Sequence, residues 1–312
     1  MNTSNRLLLS GYLGMIVTNT VKNIKITSCN EGQRLDNFLM SYLRNIPKNH
    51  IYKLIRSGQV RVNSSRAKAS KKLYIDDLVR IPPYKSSERL KPIISDEVLK
   101  KTIKNILYED NEIIVFNKPA SLAVHSGTNI GYGLIDILRV VKINCERIDL
   151  LHRLDKDTSG CIIITKSFSA LKFFQKQIKD NKIEKKYLCL VNGVWDKNIK
   201  YSEVDLIRNG KACNSISEFK ILNYYKDVTL LEVNIITGRY HQIRKHCALL
   251  GHSILGDDQY GDRNANKIYK KNGLNRIFLH SFSISFFVEK INKKVTVKCS
   301  LPKDLNKYLE LL

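Results

Sequence analysis

The sequence predicts an α+β protein in which a small helix–loop–helix and strand domain precedes a larger domain built on a mixed, largely antiparallel sheet. Two observations lead to this prediction. Residues 33–83 contain two amphipathic helical segments followed by short strands of alternating hydrophobicity. Beyond residue 101, strand-like and helical segments follow one another without the regular alternation of a parallel α/β fold.

The chain carries far more basic than acidic residues. Its 312 residues include 53 Lys and Arg against 29 Asp and Glu, which gives a formal net charge of +24. A positive field of this size attracts polyanions, so nucleic acid is the first partner to consider. A lysine-rich composition that only keeps the protein soluble is the alternative. The hydrophobic fraction of 43% is that of a globular protein and excludes wholesale disorder.

Cysteine usage and hydropathy limit the compartment and the cofactors. Seven cysteines are scattered singly, and no pair has the C-x-x-C spacing of a zinc or redox site. We therefore expect free thiols, no bound metal and a cytoplasmic location. No apolar run approaches the roughly 20 residues that a membrane span needs. Residues 1–20 are expected to be a disordered N-terminal extension, with Met15 as an alternative start of translation.

The small domain is predicted over residues 21–85. From Leu35, apolar residues recur at i, i+3, i+4 and i+7, which is one face of a helix. The segment KNHIYKLIRSG predicts a second helix that stops at Gly58, and QVRVN and DDLVRIP predict strands. The outward basic residues that we expect to bind RNA are Lys48, Lys53, Arg56, Arg61 and Arg66. Residues 86–100 are polar and are predicted to be a linker.

This arrangement resembles the S4 RNA-binding domain. The resemblance is carried by RLDNFL, IYKLIRSGQVRVN and DDLVRIP, in that order. It implies a rigid basic surface that holds RNA through its phosphates, which gives affinity but little sequence information. The alternative is a small domain whose lysines are only solvated.

The larger domain, residues 101–312, contains strand-like and helical segments in mixed order. The predicted strands are EIIVFNKP, CIIITK, KKYLCLVNG and VTLLEVNII. The predicted helices are YGLIDILRVVK, SFSALKFFQKQIKD and RYHQIRKHCALLG.

Two segments of this domain concentrate polar residues beside apolar strands. HRLDKDTSG predicts a tight loop that holds Asp155 next to a buried strand. A surface turn with two solvated aspartates is the alternative interpretation of the same residues. TGRYHQIRKH predicts the start of a helix with His241 and His246 about 140° apart around its axis, which does not place both on one metal ion. Tyr187 lies on a predicted strand, where a lone tyrosine is usually structural.

Five motifs occur in an order that resembles the RluA family of pseudouridine synthases. They are HRLDKDTSG, KKYLCLVNG, TGRYHQIRKH, GHSILGDDQYG and RIFLHS. The resemblance implies that Asp155 is the catalytic carboxylate, that Arg244 pairs with it and that Tyr187 packs on the target base and assists proton transfer. It also implies that Arg153 holds open the RNA from which the target uridine has left the stack.

The resemblance further implies a monomer that needs no cofactor and modifies several uridines of 23S ribosomal RNA. Three alternatives remain at this point. The chain could be a non-catalytic RNA-binding or ribosome-assembly protein, a hydrolase that uses Asp155 and Asp157 as a pair, or a DNA-binding protein. A sister pseudouridine synthase with other ribosomal RNA sites is a fourth possibility. The set Asp155, Tyr187 and Arg244 favours the enzyme, because a binding protein has no need of it.

Overall fold

The computed structural model describes residues 15–18, 20–27, 30–43, 46–87, 94–126, 132–142, 145, 147–208 and 210–312. The chain divides into two compact units, residues 1–93 and residues 94–312. Among the helices of the described residues, none is long and apolar enough to cross a membrane.

The described residues of the first unit form two helices and two small antiparallel sheets. Its helices are α1 Leu35–Tyr42 and α2 Lys48–Arg56. Its strands are β1 Met15–Thr18, β2 Lys22–Lys25, β3 Arg61–Val62, β4 Ser65–Arg66, β5 Leu78–Ile81 and β6 Tyr84–Ser87. β2, β5, β3 and β4 form one sheet in that order, and β1 pairs with β6. The predicted helices and strands of this unit are confirmed.

Local sequence explains the boundaries of these elements. Gly58 follows α2 with φ +72°, a left-handed conformation that glycine adopts without a steric penalty, as the predicted stop requires. Asn63 and Ser64 both have positive φ, of 51° and 65°, and turn β3 into β4. The apolar faces of α1 and α2 pack over the sheet in one buried cluster with Val79 and Ile81.

Two boundaries differ from the predicted organisation. Residues 15–18, placed in the disordered extension, form β1, because the β-branched MIVT segment pairs along β6. The predicted linker over 86–100 overlaps the end of β6 and the first five residues of α3, which spans Asp96–Lys104. This helix has Asp96 and Glu97 in its first turn and lysines in its last, which complements the helix dipole. Residues 1–14, 19 and 88–93 lie outside the described residues.

The second unit contains the remaining elements. Its other helices are α4 Leu134–Val141, α5 Phe168–Lys179, α6 Gln242–Leu249, α7 Arg263–Lys271 and α8 Lys303–Leu309. Its strands are β7 Ile106–Glu109, β8 Ile113–Lys118, β9 Asp149–Leu150, β10 Ser159–Thr165, β11 Glu184–Asn192, β12 Tyr201–Arg208, β13 Lys211–Tyr224, β14 Val228–Ile235, β15 Leu279–Val288 and β16 Lys293–Lys298. The predicted segments correspond to β8, β10, β11, β14, α4, α5 and α6.

One ten-stranded sheet organises this unit. Its order is β12-β13-β14-β11-β15-β10-β8-β7, with β16 beside β15 and β9 beside β10. Every pair is antiparallel except β10 with β15, so the predicted largely antiparallel α+β fold is confirmed. Alternate residues of β8 and β10 enter two different cores, as Ile114 and Ile113 do. Burial on both faces explains why these strands are continuous apolar runs in the sequence.

The parallel contact between β10 and β15 requires a glycine. Gly160 pairs with Ser281 and has φ +110°. A Cβ atom at this position would lie 2.1 Å from the Ser281 carbonyl oxygen. The strand that leads out of the Asp155 loop can therefore approach β15 only because residue 160 has no side chain.

We predict that Gly160→Ala lowers the free energy of unfolding by more than about 3 kcal/mol, because the left-handed φ and the backbone clash add together. Urea unfolding of the full chain measures the change. Gly251→Ala is the matched control, because Gly251 also has positive φ but a Cβ there would meet nothing within 4 Å. We expect the control to cost about 1 kcal/mol. Equal losses in the two variants would contradict the prediction.

Candidate active site

The Asp155 loop connects β9 to β10 and is held by a hydrogen bond from a buried lysine. Lys118, at the end of β8, is fully buried, and its Nζ donates to the carbonyl oxygens of Lys156, Pro119 and Leu122 at 2.8, 2.9 and 2.9 Å. The Thr158 amide donates to the Asp155 carbonyl oxygen at 3.2 Å and closes the turn. Burial lowers the pKa of Lys118 to about 7. The Asp155 loop is thus held through its backbone, and the Asp155 side chain stays free to act.

Arg244, on α6, lies between two carboxylates. Its Nε and Nη2 donate to the two oxygens of Asp257, both at 2.7 Å. Its Nη1 lies 3.5 Å from Oδ2 of Asp155. The predicted neighbourhood of Arg244 and Asp155 is therefore present, but the close bidentate partner of Arg244 is Asp257. A single guanidinium fixed by one carboxylate presents its remaining N–H groups to the other.

Asp257 is a buried anion, with 1% of its surface exposed. It also accepts hydrogen bonds from the amides of Gln259 and Tyr260, each at 3.0 Å. Burial alone would raise the pKa of Asp257, but the bonds from Arg244 and the two amides outweigh it and lower the pKa. Asp257 is therefore ionised at neutral pH and holds Arg244 in place.

His241 contacts Asp155 from the side of α6. Its Nε2 lies 3.6 Å from Oδ2 of Asp155, and its Nδ1 lies 3.1 Å from the Tyr260 hydroxyl. Burial lowers the pKa of His241, and the nearby Arg244 lowers it further against the opposing effect of Asp155. If the Tyr260 hydroxyl donates to Nδ1, the imidazole proton is on Nε2 and faces Asp155.

The two histidines of the TGRYHQIRKH segment have different surroundings. His241 precedes α6 with φ +54°, whereas the sequence predicted it on the helix. His246 is buried elsewhere, with its Nε2 2.8 Å from the Ser215 hydroxyl. Among the described residues, no three His, Cys, Asp or Glu side chains are grouped so that they could hold a metal ion.

A cavity of about 350 Å³ opens beside Asp155. Tyr187 lines its wall from β11, where the pairing with β15 shifts register between Lys186 and Tyr187. Burial raises the pKa of Tyr187 well above its ordinary value. The polar and charged residues that line this cavity are His152, Arg153, Asp155, Thr158, Lys185, Tyr187, Arg239, Tyr240, His241, Gln242 and Arg244. The structure thus brings together all four residues predicted in this unit: Asp155, Tyr187, Arg244 and Arg153.

A second cavity of about 440 Å³ adjoins the first. It shares Asp155, Thr158, His241 and Arg244 with the first cavity and continues toward Lys156 and Arg276. The Asp155 carboxylate therefore borders both cavities. Arg153 is exposed, and its guanidinium carbon lies 5.8 Å from the centre of the Tyr240 ring.

The five predicted RNA-binding residues of the first unit are all exposed. They are Lys48, Lys53 and Arg56 on α2, Arg61 on β3 and Arg66 on β4. Arg61 is oriented by its own turn, because its Nε and Nη1 donate to the carbonyl oxygens of Gly58 and Ser64 at 3.4 and 3.3 Å.

Sequence reasoning missed Asp257, His241 and Lys118 as parts of the site. Asp257 lay within GHSILGDDQYG, but its partner is 13 residues away and only the fold reveals the pairing. Lys118 had a signal, since a lysine at the end of the apolar run EIIVFNKP is buried with the strand. His241 was considered only as a metal ligand.

Comparison with known proteins supports both units. A model of the RNA pseudouridylate synthase family matches residues 112–249, and a model of the S4 domain matches residues 33–79. Ribosomal large subunit pseudouridine synthase C of Haemophilus influenzae is 38% identical over 95% of this chain and 97% of its own length. The protein of the same name from Escherichia coli K12 is 37% identical over 95% of this chain and 98% of its own length.

A solved structure agrees on the fold. Human RNA pseudouridylate synthase domain containing 4 superimposes with a TM-score of 0.58 over 69% of this chain and 95% of its own, at 23% sequence identity. At that identity the likeness concerns the fold alone. The full-length sequence similarity carries the assignment: the chain belongs to the RNA pseudouridylate synthase family and is an enzyme of that family with an S4 domain in front.

Proposed function

We propose that the protein converts uridine to pseudouridine at several positions of 23S ribosomal RNA, with Asp155 as the catalytic carboxylate. The observation that carries this proposal is the placement of Asp155, 3.5 Å from Arg244, in a cavity that Tyr187 also lines. The target follows from the relatives, which are named ribosomal large subunit pseudouridine synthase C. An S4 domain suits a large structured RNA.

The reaction breaks the C1′–N1 bond of uridine, turns the uracil and joins C1′ to C5. The proton on C5 is then lost, and N1, which held C1′ before, gains one, so that no atom is gained or lost overall. An ionised carboxylate can act as a nucleophile toward the sugar or the base, or take a proton from the sugar. In every route Arg244 stabilises the negative charge of Asp155, while His241 limits its rotation.

Tyr187 is a neutral phenol in this scheme. Because burial raises its pKa, the hydroxyl keeps its proton at physiological pH and can donate a hydrogen bond or a proton. The ring supplies a flat apolar surface on which the uracil can stack.

Entry of the uridine requires that it leave the RNA stack, which costs a few kcal/mol. Arg153 and Tyr240 lie together at the exposed edge of the cavity, where a guanidinium and an aromatic ring can occupy the position that the base vacates. The basic side chains of the S4 domain would hold the surrounding RNA through its phosphates.

The isomerisation involves no net oxidation or reduction and no outside source of energy, so we propose that the enzyme needs no cofactor. We also propose that it acts as a monomer in the cytoplasm, on ribosomal RNA or on a precursor of the large subunit.

We predict that Asp155→Asn abolishes pseudouridine formation but retains RNA binding, because the amide keeps the shape of the carboxylate and loses its charge. The measurement is pseudouridine mapping on unmodified 23S rRNA, with binding measured in parallel. Asp157→Asn, in the same loop, is the control and should remain active. Loss of activity in both variants would favour a paired-carboxylate mechanism, and tight binding by a wild-type protein that forms no pseudouridine would favour an RNA-binding protein.

We predict that Tyr260→Phe lowers kcat about 10-fold with little change in KM, because His241 loses the hydroxyl that fixes its tautomer, an effect of about 1.4 kcal/mol. Steady-state kinetics on an RNA fragment that contains a mapped target uridine measures this. Tyr269→Phe is the control, because the Tyr269 hydroxyl donates to Asn192 Oδ1 at 2.6 Å, outside the site. An equal loss in both variants would show that removal of any partly buried tyrosine hydroxyl has this effect.

We predict that the double variant Lys53→Gln, Arg56→Gln weakens RNA binding and reduces the slope of log affinity against log salt by about 1.4 to 1.8. Two phosphate contacts on α2 would be lost. The variant Lys303→Gln, Lys307→Gln on α8 removes the same charge elsewhere and should leave the slope almost unchanged. Equal slopes for the two double variants would count against a phosphate-binding role for α2.

A further inference from the structure

Lys185 is a buried cation in the wall of the cavity that borders Asp155. It lies on β11 two residues before Tyr187, so both side chains point to the same face of the sheet. Only 5% of Lys185 is exposed. Its Nζ makes no hydrogen bond or ion pair with any residue that the structure describes, and burial lowers its pKa to about 8 without any compensating carboxylate.

A lysine with so little exposed surface and no protein partner for its charge is unfavourable in a folded protein. The comparison with Lys118 is direct. Lys118 is equally buried, but its three hydrogen bonds to carbonyl oxygens explain its position. No such structural explanation exists for Lys185 within the described chain. A group with this cost is retained where a ligand completes its hydrogen bonds.

The other cations that line the cavity are either held by a carboxylate or exposed to solvent. Arg244 is held by Asp257 and faces Asp155. Arg239 is exposed, and its Nε donates to the Asn214 carbonyl oxygen at 2.9 Å. Arg153 is exposed beside Tyr240. Among the described residues, Lys185 is therefore the buried cation of this cavity that is left to meet a ligand.

The cavity that Lys185 lines also has apolar walls and a neutral imidazole. Ile178 from α5, Ile235 from β14 and Leu279 from β15 are among its lining residues. Burial lowers the pKa of His152 to about 3, with Lys185 as a further cause, and His152 Nε2 accepts a hydrogen bond from the Ile163 amide. A neutral imidazole and aliphatic walls cannot neutralise an ammonium group. They lower the local dielectric and strengthen any contact with a charged ligand.

The proposed reaction supplies a ligand of the right charge. When the C1′–N1 bond breaks, its electron pair remains on uracil, and the negative charge spreads over N1 and the two carbonyl oxygens. If Asp155 instead adds to the base, the charge develops on a carbonyl oxygen of the ring. The charge disappears when C1′ has joined C5, the C5 proton has left and N1 has been protonated.

We propose that the Lys185 ammonium donates to a carbonyl oxygen of the bound uracil and stabilises the negative charge that forms there during isomerisation. The inference rests on the proposed function. Lys185 is then a catalytic residue in addition to Asp155, with the part that oxyanion donors have in acyl transfer. The developing charge explains why the site keeps a buried cation without a protein partner.

The test is Lys185→Met, assayed by pseudouridine formation on unmodified 23S rRNA with wild-type protein alongside. Methionine keeps the length of the chain and removes the charge. We expect kcat to fall about 100-fold, as when one donor to a developing oxyanion is removed, with KM changed less than threefold. We expect Tm to rise, because an unpaired buried charge has been removed.

Two further variants sharpen the test. Lys185→Arg keeps the positive charge and should recover part of kcat. Lys186→Met is the matched control, because Lys186 points to the opposite face of β11 and pairs with Glu232 at 3.3 Å. The control should keep wild-type kcat.

The pH profile gives a readout that a structural role would not move. The ammonium form is required, so wild-type kcat should fall as pH rises through about 8, the pKa of Lys185. This alkaline limb should disappear in Lys185→Met and move upward in Lys185→Arg. The titratable or charged groups that face this cavity from the other elements are His152, Arg153, Asp155, Tyr187, Arg239, Tyr240, His241 and Arg244. Lys118, beneath the loop, has a pKa of about 7 and remains in all variants.

The outcomes distinguish a failure of the role of Lys185 from a failure of the proposed function on which that role rests. A wild-type enzyme that forms pseudouridine together with a fully active Lys185→Met overturns the role of Lys185 alone. A Lys185→Met variant with lower Tm, or an alkaline limb that persists in it, also overturns that role in favour of a structural one. A wild-type protein that forms no pseudouridine overturns the proposed function and this inference with it.

Discussion

The guanidinium of Arg244 forms two hydrogen bonds of 2.7 Å with Asp257 and leaves its remaining nitrogen 3.5 Å from Asp155. This unequal sharing matters for the chemistry. A bidentate pair with Asp155 would occupy both oxygens of the carboxylate that we propose to react. Because Asp257 is buried and takes the close bonds, Arg244 keeps its place and supplies positive potential, while the half-buried Asp155 retains free lone pairs for the substrate.

The rest of the site supports this charge arrangement through the backbone. Lys118 holds the Asp155 loop through the carbonyl oxygen of Lys156, and Gly160 lets the strand after that loop lie directly against β15. Both features depend on β8 and β10, which are buried on both faces in two cores. The carboxylate that we propose to react is therefore carried by a loop that leads directly into a strand buried on both faces. A well-packed support of this kind positions a reacting group without a loss of orientation at each turnover.

The parts of the fold that local physics dictates were predictable from the sequence. β8 and β10 are apolar runs because both faces are buried, and Gly58 ends α2 because residue 58 needs positive φ. The Asp155 loop was also evident, since polar residues precede a buried strand. Asp257 was not, because its burial and its pairing depend on α6. The position of His241 was missed because a left-handed residue precedes the helix, and hydrophobic periodicity gives no sign of that conformation.

The charges of the enzyme act both over long distances through solvent and in close contacts below the surface, and salt weakens the first more than the second. The net charge of +24 and the exposed basic residues of α2 act through solvent, where the Debye length is about 8 Å at physiological ionic strength. The contacts of Arg244 with Asp257 lie below the surface and are screened much less. Long-range attraction can therefore be tuned by composition without disturbing the pair of Arg244 and Asp257 beside Asp155. This separation allows a strongly basic protein to keep Asp155 beside a fixed guanidinium while most of its basic residues face solvent.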